Sequence, residues 1–207
     1  MVVIVDYKAG NLISIQKMLK KAGVGEALIS GNPRDIEKAT KLILPGVGHF
    51  DYGMIQLQES GLIEVLNKKV LEEKIPILGI CLGAQLLTRG SEEGSQKGLG
   101  WIDADTVKFD KSKLGQKLKI PHMGWSEVRF NKEVPLFKDM PLESRFYFVH
   151  SYHLVCDRLE DVAVTSKHGY KFTAGLIKDN ILGMQFHPEK SHKFGMQLLQ
   201  NFIKYYK

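Results

Sequence analysis

The 207-residue sequence has little that would place it in a membrane or in an oxidising compartment. No apolar run approaches the roughly 20 residues that a helix needs to cross a bilayer. The chain starts with the apolar segment 2–5 and has no basic leader, so no secretory signal is visible. Only two cysteines are present, Cys81 and Cys156, and we expect both to be free thiols. These absences predict a cytoplasmic protein without a membrane partner.

Patterns typical of metal and cofactor sites are also missing. The sequence has no Cys-x-x-Cys pair and no His-Glu-x-x-His motif, so we expect no metal. His150 and His153 lie three apart in a segment of strand character, which predicts that they point to opposite faces. Gly46 and Gly48 could begin a dinucleotide-binding loop, but Asp51 stands where that fingerprint needs its third glycine. We therefore expect no cofactor.

The positive charge does not indicate a nucleic-acid partner. The formal net charge is +6, from 29 basic and 23 acidic residues, and the lysines are scattered along the chain among acidic residues. This distribution is typical of solvent-exposed helix faces, whereas a nucleic-acid site concentrates its charge on one surface.

The two halves of the chain have different patterns. In the first half, short apolar runs alternate with amphipathic segments, which indicates βαβ units and a parallel sheet. From about Trp101 onward, β-rich segments follow one another. We predict an α/β fold: one domain over residues 1–207, with an open, mostly parallel sheet flanked by helices and an added β-rich second half. The predicted strands are 2–5, 27–29, 42–44, 76–80, 102–109, 126–130, 146–149, 162–166, 172–177 and 181–185; helices are expected from Asn11, from Asn32, around 62–70 and over 190–206.

The segment Gly79-Ile-Cys81-Leu-Gly83 carries the strongest functional signal. A buried strand runs into it and helix-forming residues follow, so it is the thiol counterpart of the Gly-x-Ser-x-Gly nucleophile elbow. Such a turn projects the sulfur at the carboxyl edge of the sheet, where open α/β sheets bind ligands. The start of a helix also favours a thiolate. A lone cysteine is more often a packing residue, but the bracketing glycines favour a nucleophile.

The segment His187-Pro-Glu189 supplies the groups that a thiolate nucleophile needs. His187 follows an apolar strand and can act as the base that later returns a proton to the departing amine. Pro188 stiffens the path to Glu189, whose carboxylate can hold the imidazole in one tautomer. We predict a catalytic triad of Cys81, His187 and Glu189.

Acyl transfer also requires donors for the developing oxyanion. The backbone N–H of Leu82 is one candidate, because it directly follows the nucleophile. The loop Pro45-Gly-Val47-Gly48 ends a neighbouring strand and is the second candidate, through Val47 and Gly48. The alternative for this loop is a tight turn between a strand and a helix.

Taken together, these segments resemble the triad-type class I glutamine amidotransferases, and the resemblance spans essentially the whole chain. Within that family, the sequence is most similar to the glutaminase subunits of imidazole glycerol phosphate synthases. The segments that carry this narrower resemblance are Pro45-Gly-Val-Gly48, Pro121-His-Met-Gly-Trp125, Phe146-Tyr-Phe-Val-His-Ser-Tyr152 and His187-Pro-Glu-Lys190.

The resemblance implies a flavodoxin-like core and glutamine hydrolysis to glutamate and ammonia. It implies that ammonia passes to a (β/α)8-barrel cyclase subunit in histidine biosynthesis. It also implies that the oxyanion geometry at Val47 and Gly48 depends on that partner. The residues implied to surround glutamine are Gly46, Gln85, Glu93, His150, Ser151 and Tyr152, and those implied to face the partner are Asn11, Trp125 and Lys190.

Three residues depart from the family pattern and leave other functions open. Lys8 replaces a glycine near the start, Ala84 stands where methionine is common, and Ser126 replaces an asparagine after the tryptophan. One alternative is a paralogous glutaminase that feeds a sugar-modifying amidotransferase. Others are a stand-alone thiol hydrolase or peptidase and a catalytically idle regulatory subunit.

Overall fold

The apolar runs of the first half form parallel strands at the centre of the molecule, as their composition predicts. In the computed structural model, which describes residues 1–25 and 27–206, strand order begins β2-β1-β3-β4, and β11 lies parallel to β4. The strands of the described chain are β1 (Val2–Val5), β2 (Leu28–Ser30), β3 (Lys41–Gly46), β4 (Ile77–Cys81), β5 (Ala104–Lys108), β6 (His122–Phe130), β7 (Arg145–His150), β8 (Tyr152–Cys156), β9 (Val162–His168), β10 (Tyr170–Lys178) and β11 (Ile181–Met184).

Helices cover both faces of this parallel region, because alternate residues of each buried strand point to opposite sides. The helices of the described chain are α1 (Leu12–Lys21), α2 (Pro33–Glu37), α3 (Phe50–Glu59), α4 (Ile63–Asn67), α5 (Leu82–Leu86) and α6 (His192–Tyr205). Ile4 and Ile43 pack on one face with α1 and α6, and Val3 and Leu44 pack on the other with α3, α4 and α5. None of the helices in the described part of the chain is long and apolar enough to cross a membrane.

The β-rich second half extends the same sheet rather than forming a separate one. Antiparallel pairing continues the order as β11-β10-β9-β6-β7, and the pair β5-β8 joins through β8 and β10. Over the described residues, the result is an 11-stranded mixed sheet flanked by helices, which confirms the predicted fold. Cys81 and Cys156 are both free thiols, as predicted.

Several element predictions were incomplete. Strand β8 and helix α3 were not predicted, and β6 begins at His122, four residues before the predicted strand. The helical face around 62–70 is divided, because α4 continues into a π-helical turn at Lys68–Glu72. The last helix begins at His192 and not at residue 190, since a 3-10 turn occupies Pro188–Lys190.

The prediction that His150 and His153 point to opposite faces was wrong. The chain bends at Ser151, so the two histidines lie on different strands, and the alternation of one strand does not relate them. Both rings pack against Phe109, with ring centroids 5.2 and 4.8 Å away. His122 and His168 join the same buried aromatic cluster, at 6.3 and 5.2 Å from Phe109.

Candidate active site

The nucleophile elbow has the geometry that its glycines predict. Strand β4 ends at Cys81 and α5 starts at the next residue. Cys81 has φ 54° and ψ −111°, a conformation that costs a non-glycine residue energy and recurs at functional sites. A Cβ at Gly79 would lie 2.8 Å from the Gly83 carbonyl oxygen, and one at Gly83 would collide with the Leu44 carbonyl. The positions two residues before and two residues after Cys81 must therefore both be glycine.

His187 and Glu189 form a buried pair directly after β11. The Nδ1 atom of His187 lies 2.7 Å from Oε1 of Glu189, and both side chains are 1% exposed. The Ser191 hydroxyl donates to the His187 carbonyl (2.6 Å) and accepts from the Tyr147 amide (3.0 Å). The His187 amide in turn donates to the Tyr147 carbonyl (2.9 Å). These bonds fix the backbone that carries the imidazole.

The electrostatics of His187 favour an imidazolium. Burial acts to lower the pKa of His187, but the neighbouring Cys81 and Glu189 outweigh it and raise this pKa to about 10. The Nε2 atom of His187 is buried and has no hydrogen-bond partner among the described residues. His187 lies in the wall of the same cavity as Cys81, where a reacting atom can supply that partner.

That cavity has a volume of about 280 Å³ and brings together most of the predicted site residues. Its predicted members are Cys81, His187, Val47, Gly48, Leu82, Gln85, Glu93, His150, Ser151 and Tyr152. Glu189 lies behind His187 and acts on the cavity only through the imidazole. Pro121 and Val149 complete the lining and were not predicted.

Gly46 does not line the cavity. It is paired with Cys81 across β3 and β4, and a Cβ there would meet the Tyr7 hydroxyl at 2.6 Å and the Gly83 nitrogen at 2.8 Å. The Tyr7 hydroxyl itself donates to the Pro45 carbonyl (2.6 Å). Gly46 thus allows β3 to approach the elbow closely, and any effect on glutamine is indirect.

The predicted oxyanion residues come from two elements next to Cys81. Leu82 begins α5 and is 1% exposed. Val47 and Gly48 follow the end of β3, where Val47 is 42% exposed and Gly48 has φ 103°. A φ of this size favours glycine, so the Val47–Gly48 peptide holds an orientation that few other residues would permit.

The loop 94–100, whose position the sequence does not predict, is tied to the start of α3. The Asp51 carboxylate accepts from the backbone amides of Ser95 (2.9 Å) and Gln96 (2.8 Å), and these bonds lower the pKa of Asp51. Glu93 accepts from the Phe50 amide (2.8 Å) just before this loop. Loop and helix together hold Glu93 at the cavity wall.

The predicted partner-facing residues are exposed and lie near one another. Trp125 is 45% exposed and stacks on His192, with centroids 5.4 Å apart, and it is paired with Tyr147 across β6 and β7. The Lys190 ammonium lies 5.7 Å from the centre of the Tyr147 ring. We call Trp125, Tyr147, Lys190 and His192 the Trp125 patch. Exposed Asn11 directly precedes α1, which contacts the Pro188–Lys190 turn beside this patch.

Residues 3–205 match the family described as glutamine amidotransferase class-I. The chain belongs to this family. This chain is 56% identical over 204 residues to "Imidazole glycerol phosphate synthase subunit HisH 2" of Methanococcus maripaludis, and the match covers 99% of both chains. It is 49% identical over 204 residues to the protein of the same name in Pseudomonas aeruginosa, again covering 99% of both.

Solved structures show the same fold. A putative GMP synthase protein from Thermoplasma acidophilum superposes on this amidotransferase with a TM-score of 0.71 at 22% identity, covering 98% of this chain and 91% of the other. The structure of PurLQS from Thermotoga maritima gives 0.71 at 19% identity, with 99% and 97% covered.

One buried residue of this amidotransferase site was missed at the sequence level. Gln185 is fully buried, and its Nε2 lies 3.8 Å from the Cys81 sulfur. Its Oε1 accepts from Gln85 Nε2 at 3.1 Å. The available signal was a polar residue inside the apolar run 181–186, two positions before His187. In the described ranges, no cluster of three or more histidine, cysteine or acidic side chains is placed to hold a metal.

Lys8, one of the departures from the family pattern, has a backbone conformation that glycine adopts readily. Its φ is 65°, in the left-handed region, and its amide donates to the Asp6 carboxylate (3.0 Å). The turn is therefore one that a glycine at this position would also suit.

Proposed function

We propose that this chain is the glutaminase subunit of an imidazole glycerol phosphate synthase, with Cys81, His187 and Glu189 as its catalytic triad. The observation that carries the proposal is the shared cavity. A cysteine on a strained elbow and a histidine bonded to a buried carboxylate at 2.7 Å line the same small pocket. This constellation suits acyl transfer through a thioester.

In the proposed reaction, the Cys81 thiolate attacks the side-chain carbonyl carbon of glutamine. The carbonyl oxygen becomes negative, and the N–H groups of Leu82 and of the Val47–Gly48 loop stabilise it. His187, held as an imidazolium by Glu189, gives its proton to the amide nitrogen, and the C–N bond breaks to release ammonia. His187 then takes a proton from water, the hydroxide attacks the thioester, and glutamate leaves as the thiolate re-forms.

The remaining cavity residues suit the amino-acid portion of glutamine. The Glu93 carboxylate can pair with the substrate ammonium. Glu93 also lies close to Tyr152: burial raises the pKa of the Tyr152 phenol, and the charge of Glu93 adds to this increase. His150, Ser151 and Tyr152 form the corner between β7 and β8 that faces it. Gln85 supplies an amide from α5, although its Nε2 already donates to Gln185 and to the Tyr152 carbonyl.

We further propose that the ammonia passes directly to a (β/α)8-barrel cyclase subunit bound at the Trp125 patch and Asn11, within a cytoplasmic heterodimer that has lyase activity in histidine biosynthesis. Direct transfer suits the chemistry, because ammonia released into neutral water is largely protonated and is no longer a nucleophile. Partner binding would complete the oxyanion site at Val47 and Gly48.

The relatives named above support this acceptor, and a sugar-modifying amidotransferase is not favoured. A catalytically idle protein would have no need for a strained Cys81 or for the buried pair of His187 and Glu189. A peptidase would need an extended groove for a chain on each side of the scissile bond, whereas this cavity has a volume of only about 280 Å³.

The test is glutamate release from glutamine by the purified chain, alone and with the cyclase subunit plus its nucleotide ligand. We expect strong stimulation that is lost in Cys81→Ala and retained in Cys156→Ala, the variant of the other free cysteine. A Cys81-dependent rate that the cyclase does not raise would support glutaminase activity but reject the histidine-pathway acceptor. Activity that survives in Cys81→Ala would reject the triad.

A further inference from the structure

A chain of hydrogen bonds runs from the half-buried Ser126 on strand β6, through two buried histidines, towards the nucleophile. Ser126 Oγ lies 2.9 Å from His122 Nε2, and His122 Nδ1 lies 3.1 Å from His150 Nε2. His150 Nδ1 lies 2.6 Å from the Tyr152 carbonyl oxygen. Gly124 lies between His122 and Ser126 on strand β6, and its φ is 130°.

A second arm connects the same carbonyl to the sulfur. Gln85 Nε2 lies 3.4 Å from the Tyr152 oxygen and 3.1 Å from Gln185 Oε1, and Gln185 Nε2 lies 3.8 Å from Cys81 Sγ. Gln85 and Gln185 are 5% and 0% exposed, so water does not compete for these groups. The carbonyl of Tyr152 has two lone pairs and accepts from both arms.

The direction of each bond in the first arm follows from this carbonyl, which can only accept. His150 Nδ1 must therefore carry the proton, and Nε2 of the neutral ring accepts from His122 Nδ1. His122 Nε2 is then an acceptor, and the Ser126 hydroxyl must donate to it. Both rings are neutral at pH 7, because burial, aided by the neighbouring His168, lowers the pKa of His122 to about 4, and burial holds the pKa of His150 well below its ordinary value.

The orientations of the Gln85 and Gln185 amides in the second arm follow from the same carbonyl. If Gln85 were turned over, its oxygen would face the Tyr152 carbonyl, and two acceptors would repel each other. Gln85 therefore directs its NH2 group at both Tyr152 and Gln185, which requires the oxygen of Gln185 to face Gln85. The NH2 group of Gln185 is left pointing at the sulfur of Cys81.

We propose that Gln185 is a positioning residue for the nucleophile: its side-chain N–H points at the Cys81 sulfur and holds the thiolate. The Tyr152 carbonyl fixes that direction through Gln85, and the hydrogen-bond chain that begins at Ser126 holds this carbonyl in place through His150. This inference rests on the proposed function, in which Cys81 is the nucleophile. A thiolate gains from an N–H donor held in place in a water-excluded site, and a fixed donor needs no reorganisation before attack.

The test measures alkylation of Cys81 by iodoacetamide in the full chain, with the Cys81 and Cys156 peptides quantified separately by mass spectrometry. Gln185→Met keeps the length of the side chain and removes both the oxygen and the NH2 group of the amide. Gln185→Glu keeps an acceptor for Gln85 but removes the N–H and places a carboxylate beside the sulfur. We expect alkylation of Cys81 to fall about tenfold in Gln185→Met, the effect of one charge-assisted bond, and further in Gln185→Glu.

This order separates positioning from packing. If Gln185 only held Gln85 in place, Gln185→Glu would react like the parent chain and Gln185→Met would be the slower variant. That order, or unchanged rates in both variants, would overturn the inference while leaving Cys81 as the nucleophile. A parent chain whose Cys81 reacts no faster than Cys156 would overturn the proposed function as well as the inference.

The far end of the chain provides a second test that does not alter the cavity. Ser126→Ala removes the donor to His122, and we expect Cys81 alkylation to fall about threefold, while Ser126→Thr, which keeps a hydroxyl, restores it. The matched control is Ser166→Ala, because the buried Ser166 hydroxyl donates to the neighbouring Glu127 carbonyl (2.7 Å) and lies outside the chain of bonds. An equal loss in Ser166→Ala, or no rescue by threonine, would contradict the role of Ser126.

Discussion

At the scale of single residues, the site depends on positions where even a methyl group does not fit. A Cβ at Gly83 would collide with the Leu44 carbonyl oxygen, a backbone atom that cannot move aside without disturbing β3. We expect Gly83→Ala to lower the free energy of unfolding by about 3 kcal/mol or more. Urea denaturation of the purified chain measures this change.

The matched control for that substitution is Gly90→Ala. A Cβ at Gly90 would meet only the Gln96 carbonyl oxygen, at an ordinary contact distance of 3.8 Å. We expect its free energy of unfolding to stay within about 0.5 kcal/mol of the parent chain. Equal losses in the two variants would show that the elbow is less tightly packed than its geometry indicates.

The pair of His187 and Glu189 predicts a pH dependence with a definite sign. The pKa of His187 is raised to about 10 in the folded chain, against about 6.5 when unfolded. A raised histidine pKa stabilises the fold fully below pH 6.5, and this contribution is lost as the pH rises through about 10. Glu189→Gln removes a carboxylate that raises this pKa, so NMR titration should show a lower pKa for His187.

The same substitution has two further consequences. The difference in free energy of unfolding between the parent chain and Glu189→Gln should shrink as the pH rises from 6.5 to 10, because the parent chain loses the contribution of the ion pair. Glutamine hydrolysis should fall by on the order of 100-fold, because the imidazolium loses its orienting partner. A stability difference that does not vary with pH would show that His187 is not an imidazolium in the folded chain.

At the scale of elements, Asp51 connects helix α3 to the loop 94–100. Its carboxylate accepts two backbone N–H groups of the loop, and the preceding Phe50 amide binds Glu93. We expect Asp51→Ala to speed hydrogen exchange at Ser95 and Gln96 and to raise the KM for glutamine about fivefold with little change in kcat, because Glu93 loses support. Unchanged exchange at both amides would contradict this link.

The elements that the sequence predicts are those whose local signal agrees with their tertiary contacts. Strands β1, β3 and β4 are short apolar runs with both faces buried, and the elbow is defined by residues adjacent in sequence. Helix α3 was missed because Gly53 interrupts its pattern. A Cβ there would lie 3.0 Å from the Leu82 side chain, so close packing on the elbow favours this glycine, and only the tertiary structure shows it.

The unpredicted parts of the site were also missed because they depend on tertiary contacts. Only Ser151 separates β7 from β8, so the sequence reads as one continuous strand. Because this boundary was not predicted, the clustering of His150 with His153 was not predicted either. Gln185 touches Cys81 across a separation of 104 residues. No periodicity within either segment predicts this contact, because it arises only when β11 pairs with β4.

At the scale of the whole molecule, the sheet places the cavity and the Trp125 patch on neighbouring parts of the second half. His122, which contacts His150 of the cavity wall, and Trp125 of the patch are three residues apart on β6. Strand β7 likewise carries Tyr147 of the patch and Val149 of the cavity wall. A partner bound at the patch would therefore contact the strands that carry the cavity wall.

This arrangement predicts a separation between docking and chemistry. Trp125 is a large aromatic side chain, 45% exposed and surrounded by Tyr147 and His192, which is the setting in which tryptophan contributes most to binding. We expect Trp125→Ala to weaken binding of the cyclase subunit by about tenfold or more, as measured by calorimetry, while alkylation of Cys81 in the isolated chain stays unchanged. The matched control is Leu159→Ala, since Leu159 is 88% exposed and apolar but lies outside the patch. Equal affinities of Trp125→Ala and the parent chain would move the docking surface away from β6, and the strands shared with the cavity would then have no part in transmitting the partner's presence to Cys81.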